Sequence, residues 1–164
     1  MNITLTRQQR QDAGRALRTK CSRKSHETWR PQSNRPDPIS VLIRTNKGPI
    51  PHLLPIRYGR MMESPFAFYR GAAAIMAGDL AHTPKSSIIV QACGDCHLSN
   101  FGLFATPERR LIFDISDFDE TVPAPWEWDL KRLAASFVIA ARHIRFSKRD
   151  ARDVAERVAR SYRL

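Results

Sequence analysis

Apolar positions recur at helical spacing along parts of this chain and bunch into short runs along others. Between Pro65 and Ala81, residues Tyr69, Ala72, Ala73, Met76 and Leu80 fall on one face. Ser64 is placed to cap that segment and Pro65 suits its first turn, so a helix over 65–81 is predicted, stopped by Pro84. From Glu127 to Ile144, residues Leu130, Leu133, Ala134, Phe137, Val138 and Ala141 form a broad apolar stripe and predict a long helix. Ser147 opens a last helix over 148–163, with Ala151, Val154, Ala155, Val158 and Tyr162 on one face. Ile39 to Ile43 predict a short helix with Asp37 as N-cap, ended by Gly48-Pro49. A weaker helical pattern runs through Ala13, Ala16 and Leu17 in residues 6–20, and Pro51 to Pro55 read as an irregular joint. Ile88-Ile89-Val90 reads as a buried strand over 88–92. Leu111-Ile112-Phe113 reads as a second strand over 110–114, after a turn at Thr106-Pro107-Glu108. The pattern predicts an α+β fold, mainly helical, in which two short strands flank a polar loop and helices pack around them.

Composition adds one asymmetry. The 164 residues are 42% hydrophobic and 26% charged, ordinary for a globular chain, but the net charge is +11. Residues 1–60 hold thirteen Lys/Arg against Asp12, Glu27 and Asp37, whereas residues 61–164 are nearly balanced. Residues 1–38 therefore read as a basic, partly flexible arm ending in a linker with Pro31, Pro36 and Pro38, and residues 39–164 as the domain. The arm suits an acidic partner contacting residues 1–35. Trp29 is its only aromatic before Tyr58, which argues against a single-stranded nucleic-acid binder. No run reaches the ~18–20 apolar residues of a membrane span. The N-terminus has no apolar signal core, so a cytoplasmic protein is expected. Cys21, Cys93 and Cys96 make no disulfide framework.

The chemistry-bearing residues gather where the two runs end. Cys93, Cys96 and His97 form a C-x-x-C-H string, the spacing of c-type haem attachment or of a redox dithiol. Attachment requires export and no signal is present, so two small, half-buried residues is the preferred reading. Asp95, His97 and Asn100 lie beside Asp114, Asp117, Asp119 and Glu120. Asp95 is suited to accept a proton from a substrate hydroxyl. Asn100 and one carboxylate from Asp114, Asp117 or Asp119 suit Mg²⁺, which takes oxygen ligands together with substrate phosphates. The alternative is an acidic surface loop with a capping Asp–Asn pair. Trp126-Glu127-Trp128-Asp129 reads as a helix start, its acids near the positive end of the helix dipole and its tryptophans in the core.

Several of these segments carry a resemblance. Arg57-Tyr58-Gly59-Arg60-Met61, Ser64-Pro65-Phe66-Ala67-Phe68-Tyr69-Arg70-Gly71, Cys93-Gly94-Asp95, His97-Leu98-Ser99-Asn100-Phe101-Gly102, Asp117-Phe118-Asp119-Glu120-Thr121 and the run from Trp126 to Ser136 closely resemble a bacterial family of uncharacterised proteins, domain of unknown function 2252. The resemblance covers about residues 13–164. The family usually carries Ala where this chain has Cys96, which makes the haem-like string an accident of one substitution. The family's loop is in turn similar to the H-G-D-x-H-x-x-N, I-D-F and D-L-A segments of kinase-like enzymes, most nearly aminoglycoside and choline phosphotransferases. That likeness implies a fold resembling their C-terminal lobe. It implies Asp95 as catalytic aspartate, Asn100 and Asp117 as Mg²⁺ ligands with Asp114 and Asp119 as fallbacks, and His97 and Asp129 in support. Cys93 stands where that superfamily has histidine, and Lys131 replaces a small residue.

The resemblance also implies ATP as donor. None of the seven glycines forms a G-x-G-x-x-G, and in the family a glycine-rich segment and a candidate lysine lie further downstream. The chain is therefore expected to be a member truncated at the C-terminus, a partial kinase-like phosphotransferase inactive alone. A non-enzymatic binding protein and a haem or dithiol redox protein are the alternatives.

Overall fold

The computed structural model describes residues 5–47 and 51–163. In chain order these form helix α1 (Arg7–Lys20), a 3₁₀ turn (Arg23–Glu27), α2 (Pro38–Thr45), a second 3₁₀ turn (Pro51–Leu53), α3 (Leu54–Met61), α4 (Pro65–Arg70) and α5 (Ala73–Leu80). Strand β1 (Ile89–Ala92) follows, then a 3₁₀ turn (Leu98–Asn100), β2 (Phe101–Ala105), β3 (Leu111–Ile115), β4 (Val122–Pro125), α6 (Glu127–His143) and α7 (Lys148–Tyr162). The fold is α+β and mainly helical. No helix among the described residues is long and apolar enough to cross a membrane.

The helix starts follow local chemistry. Asp37 accepts a hydrogen bond from the Ser40 N–H at 2.8 Å, Ser64 from Ala67 at 3.0 Å and Ser147 from Asp150 at 3.1 Å. Thr6 and Gln9 cap α1 reciprocally, yet no α1 residue is buried. Gly48-Pro49, expected to end α2, lies outside the described residues; the helix stops at Thr45. The expected joint at 51–55 instead runs from a 3₁₀ turn into α3. The helix expected over 65–81 is two helices, because Gly71 ends α4 and Ala72 leaves the helical region. A Cβ on Gly71 would sit 2.6 Å from the Met61 Sδ, so a larger residue there would require the Met61 side chain to move. Residues 21–38 are largely irregular, as expected, but Arg35 reaches α5 through a two-pronged ion pair with Asp79 at 2.6 and 2.9 Å.

Among the described residues there are four strands rather than two, in two antiparallel ribbons, β1–β4 and β2–β3. Strand β2 pairs with β3 across the turn at 106–109, where the Thr106 N–H donates to the Arg110 carbonyl at 2.9 Å. Strand β4 is Val-Pro-Ala-Pro, and its prolines hid it from pattern reading. Strand β1 is not the buried strand its apolar run suggests: Ile88, Ile89 and Val90 are 42%, 58% and 38% exposed. A continuous apolar strand is buried only with cover on both faces, and a two-stranded ribbon provides one. The β2–β3 hairpin is more open still, with Leu103, Leu111 and Phe113 about two-thirds exposed at 66%, 70% and 67%.

Helix α6 is the centre. It packs on α7, α4 and α5 and on the 3₁₀ turn before β2. Of the expected apolar stripe only Ala141 is among its most buried positions; the others are Glu127, Arg132 and Ser136. On α7 the small side chain of Ala151, 1% exposed, lets the two helices close. Ala151→Leu should therefore overpack that contact and lower stability by about 1–3 kcal/mol, read as an earlier midpoint in urea unfolding followed by circular dichroism.

Candidate active site

The segment from Cys93 to Asn100 is held from below by one stripe of α6. Asp129, in the first turn, accepts the Cys93 and Gly94 N–H groups at 2.7 and 3.1 Å. Three residues on, the Arg132 Nε donates to Asp95 Oδ1 at 2.8 Å, and its Nη2 bonds the same oxygen. A turn further, Ser136 Oγ accepts the Leu98 N–H at 3.0 Å and donates to the Leu133 carbonyl at 2.6 Å. These three residues share a face because helical neighbours recur three and four apart. Glu127 and Lys131 do the same for the chain entering β1. Glu127 accepts the Ser86 N–H at 2.6 Å, and the Lys131 ammonium donates to Thr83 Oγ1 at 2.8 Å and the Pro84 carbonyl at 3.3 Å. The acids of Trp126–Asp129 lie in the first turn of α6, as expected, and also hold other segments. Trp126 is half-buried, stacked on Tyr162 at 5.6 Å and bonded to Ser86.

The acidic segment docks on this loop at Gly94. Its φ of +79° is the left-handed region, and a Cβ there would lie 2.0 Å from the Glu120 carbonyl oxygen. Asn100, 6% exposed, then stitches the two segments together. Its Nδ2 donates to the carbonyls of Asp95 at 3.0 Å and Asp117 at 3.4 Å, while its own carbonyl accepts the Ser116 N–H at 2.9 Å. Asp95, Asn100 and Asp117 are therefore brought together. Asp117 is exposed and its Oδ1 accepts the Asp119 N–H at 3.1 Å. Asp114 and Asp119 are exposed and locally engaged; the Asp114 carboxylate accepts the Ile115 N–H at 2.7 Å.

His97 is 5% exposed, with its Nε2 3.6 Å from Asp95 Oδ2 and its Nδ1 without a partner among the described residues. Burial, together with nearby Arg132, lowers its pKa against the pull of Asp95. Cys93 and Cys96 are fully rather than half buried, each 5% exposed, and neither is in a disulfide. Burial, reinforced by the charge of Asp129, raises both thiols, Cys96 to about 12. Such thiols are poor nucleophiles and poor metal ligands as they stand.

No group of three or more His, Cys, Asp or Glu side chains among the described residues is arranged to hold a metal ion. Mg²⁺ does not require one: a single protein carboxylate and an amide oxygen, with water and phosphates, make a common shell. Asn100 commits its nitrogen to the loop and Asp117 its Oδ1 to the Asp119 N–H, so a cation placed here would find Asn100 Oδ1 and Asp117 Oδ2. That donor set fits a hard divalent cation.

Pattern reading missed Arg132, Ser136 and Tyr69. Arg132 is 2% and Ser136 0% exposed. Besides Asp95, Arg132 donates to the Tyr69 carbonyl at 2.9 Å and lies 4.5 Å over the Tyr69 ring, whose hydroxyl donates back to the Arg132 carbonyl at 2.7 Å. The available signal was polar residues at 129, 132 and 136, which recur on one face of α6 at helical spacing.

The fold and this site define a class: a mainly helical α+β domain with a carboxylate–asparagine loop clamped to its central helix. The family model for an uncharacterised protein conserved in bacteria, domain of unknown function 2252, matches residues 47–164. The chain belongs to that family, and the match begins at Lys47 rather than near residue 13. No curated protein and no solved structure matches the chain.

Two outcomes follow. Asp95→Asn leaves the buried Arg132 guanidinium without its anion and should cost about 3–5 kcal/mol, measured by urea unfolding. Cys96 has a folded pKa of about 12 against an ordinary 9.0, so its stabilising effect is complete below pH 9 and is lost as pH rises toward 12. The urea midpoint should fall across that window, and Cys96→Ala should make the fall shallower.

Proposed function

We propose that this chain carries the metal-holding and proton-accepting part of a kinase-like phosphotransferase. The observation that carries the reading is the Asn100 side chain, buried and bonded to the carbonyls of both Asp95 and Asp117. One amide thus sets the spacing between a candidate base and a candidate metal carboxylate. Phosphoryl transfer asks little else of a protein than positioning and charge neutralisation.

Asp95 is the candidate base. Arg132 takes its Oδ1, fixes the plane of the carboxylate and leaves Oδ2 as the oxygen to meet a substrate hydroxyl proton. Arg132 is too buried to touch substrate, and so is a positioning residue. Asp117 Oδ2 and Asn100 Oδ1 would hold Mg²⁺, with Asp114 and Asp119 the fallback carboxylates. When bound, the ion supplies positive charge to phosphate oxygens. ATP is the donor the resemblance implies. Asp117 is exposed, so the donor would meet these residues from that open face.

The test is a Mn²⁺ titration followed by EPR, with and without ATP, on the wild type and Asp117→Asn. The expected result is wild-type binding that ATP tightens and that the variant weakens at least about tenfold, as for loss of a ligating carboxylate. Equal affinity in the two proteins would overturn the metal assignment.

A further inference from the structure

A second cluster of reactive groups lies away from the Asp95 loop, where the end of α1 meets α6 and α7. Cys21 is the C-cap of α1, and Ser22 caps the 3₁₀ turn that follows by accepting the Ser25 N–H at 3.2 Å. This tight reversal brings the His26 ring back over the thiol, with Cys21 Sγ 3.3 Å from His26 Nε2. Both side chains are half-buried and both wall a cavity of about 840 Å³, within the range of small-molecule sites. Burial and the Lys131 charge lower the His26 pKa, against a weaker pull from Glu127, and Nε2 is the ring nitrogen that faces the thiol.

The same walls carry a polar group without a partner. Glu127 is 3% exposed; its Oε1 is bonded to Ser86, but its Oε2 has no partner among the described residues. The cavity is also lined by Arg18, Arg23, Lys131 and Arg163, while Arg160 is already paired with Glu156 at 2.7 Å. A nucleophile within reach of its base, a buried carboxylate oxygen left for a ligand's donor, and a cationic wall occur in one place.

We infer that Cys21 and His26 form a nucleophile–base pair, and that their cavity takes a small anion carrying an electrophilic carbon. In the reaction Cys21 Sγ forms a bond to that carbon, the carbon's bond to its leaving group breaks and the group departs with the electron pair. The thiol proton passes to His26 Nε2. Cys93 and Cys96, each 5% exposed, serve as internal controls.

The experiment treats the native full chain with iodoacetate or with iodoacetamide, and reads carboxymethylation or carbamidomethylation at each cysteine by peptide mass spectrometry. The leaving group is iodide in both cases. Cys21 should react while Cys93 and Cys96 stay unlabelled. Its iodoacetate-to-iodoacetamide rate ratio should exceed that of the urea-unfolded chain by about tenfold, the mark of a cationic surround. His26→Gln should slow Cys21 by at least about tenfold if the imidazole acts as base, with silent Cys93 and Cys96 reporting that the variant is folded. If that variant unfolds, the wild-type ratio decides alone. An unreactive Cys21, or a ratio equal to that of the unfolded chain, would overturn the proposal. A folded His26→Gln variant that reacts at the wild-type rate would remove His26 from it.

Discussion

A single buried guanidinium holds this molecule together. Moving a charge out of water costs several kcal/mol unless its partners are well placed, and Arg132 is 2% exposed. Its anion comes from the Cys93–Asn100 loop, its carbonyl acceptor and aromatic face from Tyr69 on α4, and its backbone from α6. Three segments distant in sequence must therefore assemble together, or the charge is stranded. This also fixes what Asp95 is: the counter-ion of the fold before it is anything else. Loss of activity on replacing Asp95 would not by itself identify a base, because the same change removes the structural anion.

Around that ion pair α6 works as a rack. Asp129, Arg132 and Ser136 take the chain leaving β1, and Glu127 and Lys131 take the chain entering it. Lys131 has its place through Thr83 and Pro84. The acidic segment has no such hold on α6. It rests on Gly94 and Asn100, with the Cys93 thiol on the Asp117 carbonyl at 3.7 Å and the paired strands β3 and β4 anchoring its two ends.

Much of the helical framework was legible. Ser64, Asp37 and Ser147 cap where side-chain chemistry says they should, and α6 and α7 run within a residue of the lengths their periodicity predicts. The break at Gly71 was not, because the apolar spacing runs on unbroken through Ala72 and Ala73 while the backbone leaves the helix there. Strand β4 was hidden by Pro123 and Pro125, and the exposure of β1 by the absence of a second covering layer, which a run of isoleucines cannot report. In the site, the grouping of Asp95, Asn100 and Asp117 could be read from the family resemblance. The α6 stripe could not, since an arginine and a serine on an amphipathic helix look like solvent-facing positions until their partners, thirty or more residues earlier, are in view.

The β2–β3 hairpin has a consequence for how copies of the chain behave in solution. Leu103, Leu111 and Phe113 present a greasy ribbon on a polypeptide of net charge +11. At low ionic strength, like-charge repulsion keeps these ribbons apart. At physiological salt the screening length falls to roughly 8 Å, and the attraction between apolar faces is not screened at all. Salt therefore lowers the colloidal stability of this chain, opposite to its effect on assemblies held by ion pairs.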